Sequence, residues 1–274
     1  MPTMTVGSVP LAYEDTGPPP GRPDAPTVLF GHGLLFSGWM FRAQVEALRG
    51  RYRCVTVDWR GQGDTPGVGG GYDMDSLTAD AIALIRALGV EPVHWVGLSM
   101  GGFVGARIAA RHGELLRSLV LLDTSAERED PAKHGPYRRL AWALRLVGFR
   151  PIAGRLHSIM FSPAFLADPA SEEILREWGR RLARGDRAAL RRAVLGVLDR
   201  PAIDGELAAI KVPTLVAVGA DDRGTPPALA RRLAAGIPGS ELRVIDDCGH
   251  SSSLEQPAVV NELLTAFLGR VDGS

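Results

Sequence analysis

The stretch HWVGLSMGGFVGARIAA, residues 94–110, decides how the chain is read. An apolar, β-branched run ends at Leu98, and a helical pattern begins at Met100. Between them Ser99 sits with Gly97 two places before it and Gly101 two places after, the spacing G-x-S-x-G. Such a chain has to turn sharply from strand to helix. The turn leaves the serine with strained backbone angles and its hydroxyl raised above the sheet edge, and a side chain at either flanking glycine would strike the neighbouring strand or helix. The helix that follows points its positive N-terminal end at the hydroxyl, which favours a developing anion.

Outward from this turn the chain alternates. TVLFGHG (27–33), YRCVTVDW (52–59), VHWVGL (93–98), LRSLVLLD (116–123), VPTLVAVG (212–219) and ELRVID (241–246) are short apolar runs. Helical patterns separate most of them: Trp39–Leu48, Met74–Leu88, Met100–Arg111, Pro227–Ala235 and a last one ending near Leu268. Strands apolar on both faces, alternating with helices, predict an α/β fold: a mostly parallel sheet with helices on both sides. A hairpin with Gly7 near its turn is expected ahead of it, joined by the Pro/Gly-rich GPPPGRPDAP.

Residues 126–205 break the rhythm with helical patterns alone. Tyr137, Leu140, Leu144 and Val147 share one face, and Ile174, Leu175, Trp178 and Leu182 share another, with Ser171 and Asp186 as expected N-caps. The organisation expected is a core of residues 1–125 and 206–274 with a helical lid inserted at 126–205. The insertion holds fifteen basic and ten acidic side chains, so it carries +5 against −5 on the rest of a chain of net charge zero.

With 31 basic and 31 acidic residues in 274, nothing points to nucleic acid or an acidic membrane surface. Cys54 and Cys248 form no C-x-x-C pair. MPTMTVGSVP has no basic patch followed by an apolar stretch, and no run reaches the roughly 18 apolar residues of a membrane helix. A cytoplasmic location is expected, and a homo-oligomer is left open.

A serine needs a base to take its proton. Sites in open parallel sheets lie beyond the carboxyl ends of the strands. Of the six histidines only His32 and His250 stand there, and His32 belongs to the glycine-rich exit of the first central strand. His250 is therefore the expected base. A carboxylate must orient it. Asp221 and Asp222, after the penultimate strand, and Asp123, after the strand before the insertion, are the candidates, and the physics of the sequence does not choose between the neighbours. The loop HGLLFSGW lets backbone N–H groups approach a substrate, so Leu34 and Met100 are the expected oxyanion donors.

LFGHG (29–33), DWRGQGDT (58–65), GLSMGG (97–102), GADDRGTPP (219–227) and CGHSSSLEQP (248–257) follow the order and spacing of the α/β-hydrolase superfamily, which the chain resembles over nearly its whole length. It is most similar to the branch of small carboxylesterases, 3-oxoadipate enol-lactonases and cofactor-free perhydrolases. There the acid stands three residues after the strand-ending glycine, which from Gly219 is Asp222. Gln62 replaces a histidine common in the family's D-x-R-G-H-G, outside the catalytic positions. Ser99 as nucleophile distinguishes the chain from the haloalkane dehalogenases and epoxide hydrolases of this fold, which use aspartate. Ser251 after His250 distinguishes it from the carbon–carbon hydrolases, which carry tryptophan there.

The resemblance implies a serine hydrolase that cleaves a small carboxylic ester or lactone through Ser99, His250 and Asp222, with no metal or organic cofactor. Peracid formation from a carboxylate and hydrogen peroxide, or ligand binding without catalysis, are the alternatives. An uncharged pocket between body and lid is expected, lined by Leu34, Trp39, Phe103, Trp142, Phe149, Phe161 and Phe165.

Overall fold

The structure, a computed structural model, describes residues 1–273. Eight strands form one sheet in the order β1-β2-β4-β3-β5-β6-β7-β8. They are β1 (Thr3–Val6), β2 (Val9–Asp15), β3 (Thr27–Gly31), β4 (Arg53–Val57), β5 (Val93–Leu98), β6 (Leu116–Leu122), β7 (Thr214–Gly219) and β8 (Glu241–Ile245). The β1–β2 hairpin turns at Gly7 and runs antiparallel onto β4; all pairings from β4 to β8 are parallel.

The helices are α1 (Arg42–Leu48), α2 (Met74–Leu88), α3 (Met100–Arg111), α4 (Pro131–Val147), α5 (Ala153–Met160), α6 (Pro163–Ala167), α7 (Glu172–Arg184), α8 (Arg187–Leu198), α9 (Pro227–Gly236), α10 (Ser252–Glu255) and α11 (Pro257–Asp272). Alternate residues of the buried strands feed two apolar layers. Leu29, Val55, Trp95, Leu119 and Val216 pack with α2, α3 and α9. Val28, Phe30, Val96, Val120 and Leu215 pack with α1 and α11. Between β6 and β7 the described chain makes helices, α4 to α8, and no strand.

Two caps in this segment differ. Asp186 accepts from the N–H groups of Ala188 and Ala189 at the start of α8. Ser171 makes no such bond; its hydroxyl donates to the Asp168 carbonyl, and Asp168 caps the short turn before α7. The aspartate three residues earlier captured the serine, a local competition that the Ser-Glu-Glu pattern does not reveal.

The G-x-S-x-G glycines act through contact. A Cβ on Gly101 would strike the Gly31 carbonyl at the end of β3, and one on Gly97 would strike the Gly101 carbonyl. Backbone, not a flexible side chain, fills both spaces, so neither can yield cheaply. Gly101→Ala is expected to lower stability by about 3 kcal/mol, read as a fall in the denaturant midpoint.

Candidate active site

Ser99 takes φ 51° and ψ −109°, outside the regions comfortable for a residue with a side chain. Its N–H donates to the Leu122 carbonyl at 2.8 Å, and its carbonyl accepts from the Thr124 hydroxyl at 2.8 Å. The end of β6 thus clamps the turn from below. The hydroxyl lies 2.8 Å from His250 Nε2.

The other ring nitrogen, Nδ1, lies 2.9 Å from each oxygen of Asp222. With Nδ1–H donating to the carboxylate, Nε2 is left to accept from the serine. Asp222 also accepts from the N–H groups of Gly224 and Thr225 and from the Thr225 hydroxyl, so its orientation is fixed from four sides. Asp221, its neighbour, is exposed and directs only its N–H inward, to the Cys248 carbonyl at 2.8 Å. Asp123 is fully buried but does not bond the imidazole. It accepts from Gly219 N–H at 2.9 Å and Ser252 N–H at 3.1 Å, tying together the two loops that carry Asp222 and His250.

Burial opposes charge on His250, yet the facing Asp222, helped by Asp123 and Glu255, outweighs it and holds the imidazole above its usual range. His32 shows the opposite balance: burial without a charged partner pushes it down to about 3. It is a structural pin, accepting from Trp59 N–H at 3.0 Å while Nδ1 donates to the Gly33 carbonyl at 2.7 Å.

The loop after β3 is held from two sides. Gln62 accepts from Leu35 N–H at 2.6 Å, and the Trp178 indole donates to the Leu35 carbonyl at 2.8 Å. Leu35 itself has φ 66°. Leu34, one residue earlier, lines the same cavity as Ser99 and His250. The N–H groups of Leu34 and Met100 meet no acceptor among the described residues.

That cavity, of about 80 Å³, is also lined by Phe103, Glu129, Tyr137, Met160, Val194 and Thr225. Of the aromatic liners expected, Phe103 alone borders it. Trp39 faces a separate cavity of about 280 Å³ beneath α7, its ring between the Arg42 and Arg181 guanidinium groups. Trp142 is 51% exposed on the outer side of α4, with the Arg191 guanidinium 4.0 Å from its ring centre. Phe149 and Phe161 pack on Trp178 with ring centres 5.3 and 5.5 Å apart, and Phe165 stacks on Phe161 at 5.1 Å. These three rings build the interior of the helical segment. Large rings bury the most area where they meet one another, and that took them away from the serine.

Among the liners missed from sequence, Tyr137, Met160, Val194 and Glu129 come from α4, α5, α8 and the link before α4. The shared face of Tyr137, Leu140 and Leu144 was the visible signal for α4. Glu129 breaks the expectation of an uncharged lining.

The family described as the alpha/beta hydrolase fold matches residues 26–257, and the chain belongs to it. A protein of Agrobacterium fabrum provisionally named carbamate hydrolase RutD is 32% identical over 90% of this chain and 95% of its own. A thermophilic esterase from Thermogutta terrifontis superposes with a TM-score of 0.87 at 30% identity, covering 98% of this chain and 97% of that one. The enol-lactonase of Burkholderia xenovorans LB400 gives 0.89 at 26% identity, covering 97% and 99%. Among the described residues no helix is long and apolar enough to cross a membrane.

An NMR titration of the histidines checks the electrostatics. His250 is expected to titrate above the usual imidazole range and His32 to stay neutral down to about 3. Asp222→Asn removes the strongest of the carboxylates that raise His250 and leaves burial, which lowers it, so the midpoint should fall.

Proposed function

We propose that the chain is a serine hydrolase of small carboxylic esters or lactones. The observation that carries the reading is the unbroken row from Ser99 Oγ through the His250 ring to Asp222, with contacts of 2.8 and 2.9 Å. Ser99 attacks the carbonyl carbon while His250 Nε2 takes its proton. Asp222 stays ionised, fixes the ring and stabilises the imidazolium. The N–H groups of Leu34 and Met100 receive the oxyanion; each such donor is worth about 3–4 kcal/mol in the transition state. His250 then returns the proton to the leaving alcohol, and a water activated by the same nitrogen releases the acid from Ser99. Nucleophile, base and electrostatic stabilisation all come from the chain's own groups.

The relatives support this class of chemistry, since an esterase and an enol-lactonase stand among the structures it resembles. Residues 126–205 act as the lid over a body of residues 1–125 and 206–274: α4, α5 and α8 close the cavity over Ser99. A cavity of about 80 Å³ over Ser99 supports a small-molecule substrate.

Ser99→Ala should fold normally and lose turnover of p-nitrophenyl esters by on the order of 10⁶. Retention of more than a few per cent of wild-type activity would remove the serine from its role. Because the base must be neutral to act, kcat/KM should fall on the acid side, with a midpoint above the usual imidazole range. Asp222→Asn should move that midpoint down and reduce turnover by on the order of 10⁴.

A further inference from the structure

The cavity over Ser99 has two unlike sides. On one it adjoins a second cavity of about 70 Å³, with which it shares Leu34, Tyr137, Ile159, Met160 and Val194. The far wall of that compartment is Leu140, Ala141, Leu144 and Leu156, with no charged group. Away from that compartment Glu129 lines the Ser99 cavity, and among the described residues it is the one acidic or basic residue, histidine aside, that does.

Glu129 cannot easily turn away. Its Oε2 accepts from Arg200 Nη1 at 3.1 Å, its Oε1 accepts from Asp130 N–H at 3.2 Å, and Lys133 Nζ stands 3.7 Å off. The cations are themselves engaged. Arg200 is 4% exposed, donates also to the Val197 and Glu127 carbonyls, and lies over the Phe103 ring at 4.2 Å. Lys133 donates to the Gly224 carbonyl at 3.2 Å. Neither borders the cavity. A substrate therefore meets a fixed acceptor and no free cation.

We propose that Glu129 is a specificity-determining residue that restricts this site to esters with uncharged arms. One arm, short and apolar, enters the compartment beyond Met160. The other lies against Glu129 and is neutral or bears an N–H or O–H that the carboxylate can accept. An ester carrying a carboxylate is rejected on either arm, for different reasons. In the apolar compartment the anion loses water and gains no partner. Against Glu129 it meets a carboxylate in a poorly solvated space; the ion pairs with Arg200 and Lys133 reduce the repulsion, but those cations are already engaged and offer the anion no partner. The inference rests on the hydrolase reading above and adds to it the chemical class of substrate.

The test uses three esters of matched shape: butyl butyrate, monobutyl succinate with the carboxylate on the acyl arm, and the butyrate ester of 4-hydroxybutanoate with it on the alcohol arm. Wild type should prefer butyl butyrate to both anions by roughly a hundredfold in kcat/KM. Glu129→Gln keeps the shape and removes the charge. It should restore about tenfold, mainly through KM, toward the one anion whose carboxylate lies on its side, while the other stays rejected. Comparable wild-type rates on all three esters, or a variant that relieves neither anion, would overturn the inference. Should the variant not fold, inhibition of wild type decides: butanamide should compete and succinamate should not, and equal competition counts against Glu129. Loss of all three activities together with failure of a fluorophosphonate to label Ser99 would instead sink the hydrolase reading.

Discussion

Helix α3 lies so close to the ends of β3 and β5 that only hydrogen atoms fit between the backbones. Gly101 N–H reaches the carbonyl of His32 at 3.1 Å, and the space where its Cβ would stand is filled by Gly31. This approach forces the one-residue turn at Ser99. A side chain at φ 51° and ψ −109° costs of order 1–3 kcal/mol, and it persists because the surroundings over-determine it. The Leu122 carbonyl, the Thr124 hydroxyl and the start of α3 each fix one part of the residue. If the helix stood an ångström further off, the turn could relax into an ordinary loop, and the hydroxyl would no longer point along the axis of the His250 ring.

The remainder of the row depends on a buried lattice of backbone donors around two carboxylates. Asp123 ties β7's last glycine to the segment after His250. Glu255 accepts from Gly249, Ser251 and Ser162, so the His250 loop is fixed to the start of α6 as well as to its own helix. Buried carboxylates are tolerable because N–H groups surround them. Asp123 still feels both burial and the nearby Asp222, and its carboxyl is pushed up to about 7. Two acids and one imidazole thus share one enclosed space. Of the two, Asp222 is the acid paired with the ring.

Much of the fold and the row was legible because each carries a local signature. Strand–glycine–serine–glycine–helix is a contact rule written in five consecutive residues, and His250 was marked by its place past the last strand. The choice of Asp222 over Asp221 was different: one residue's shift decides which carboxylate turns inward, and spacing from Gly219 in similar proteins gave it where side-chain chemistry could not. The pocket lining was largely illegible. Trp142, Phe149, Phe161 and Phe165 are apolar residues in the right segment, but composition says nothing about which side of a helix meets the body and which meets its neighbours. Glu129 was missed for the converse reason. A charged residue between two helices reads as solvated surface until Arg200, some seventy residues later, folds against it.

The two segments carry opposite net charge, but ion pairs are not the main hold between them. Arg42–Glu177 and Arg232–Glu127 do cross from body to insertion, but each arginine is more than half exposed, and such pairs contribute about 0–1 kcal/mol. Trp178, in contrast, is fully buried, stacks on Phe36 of the body with ring centres 5.1 Å apart, and donates to Leu35. Burying one such side chain contributes about 1.5–3 kcal/mol before its hydrogen bond is considered. The same indole that anchors the helices also fixes the carbonyl next to Leu34. Attachment of the helical segment and shaping of the loop over Ser99 therefore share one side chain, beside Gln62 on the loop and the Ser162–Glu255 bond on the segment.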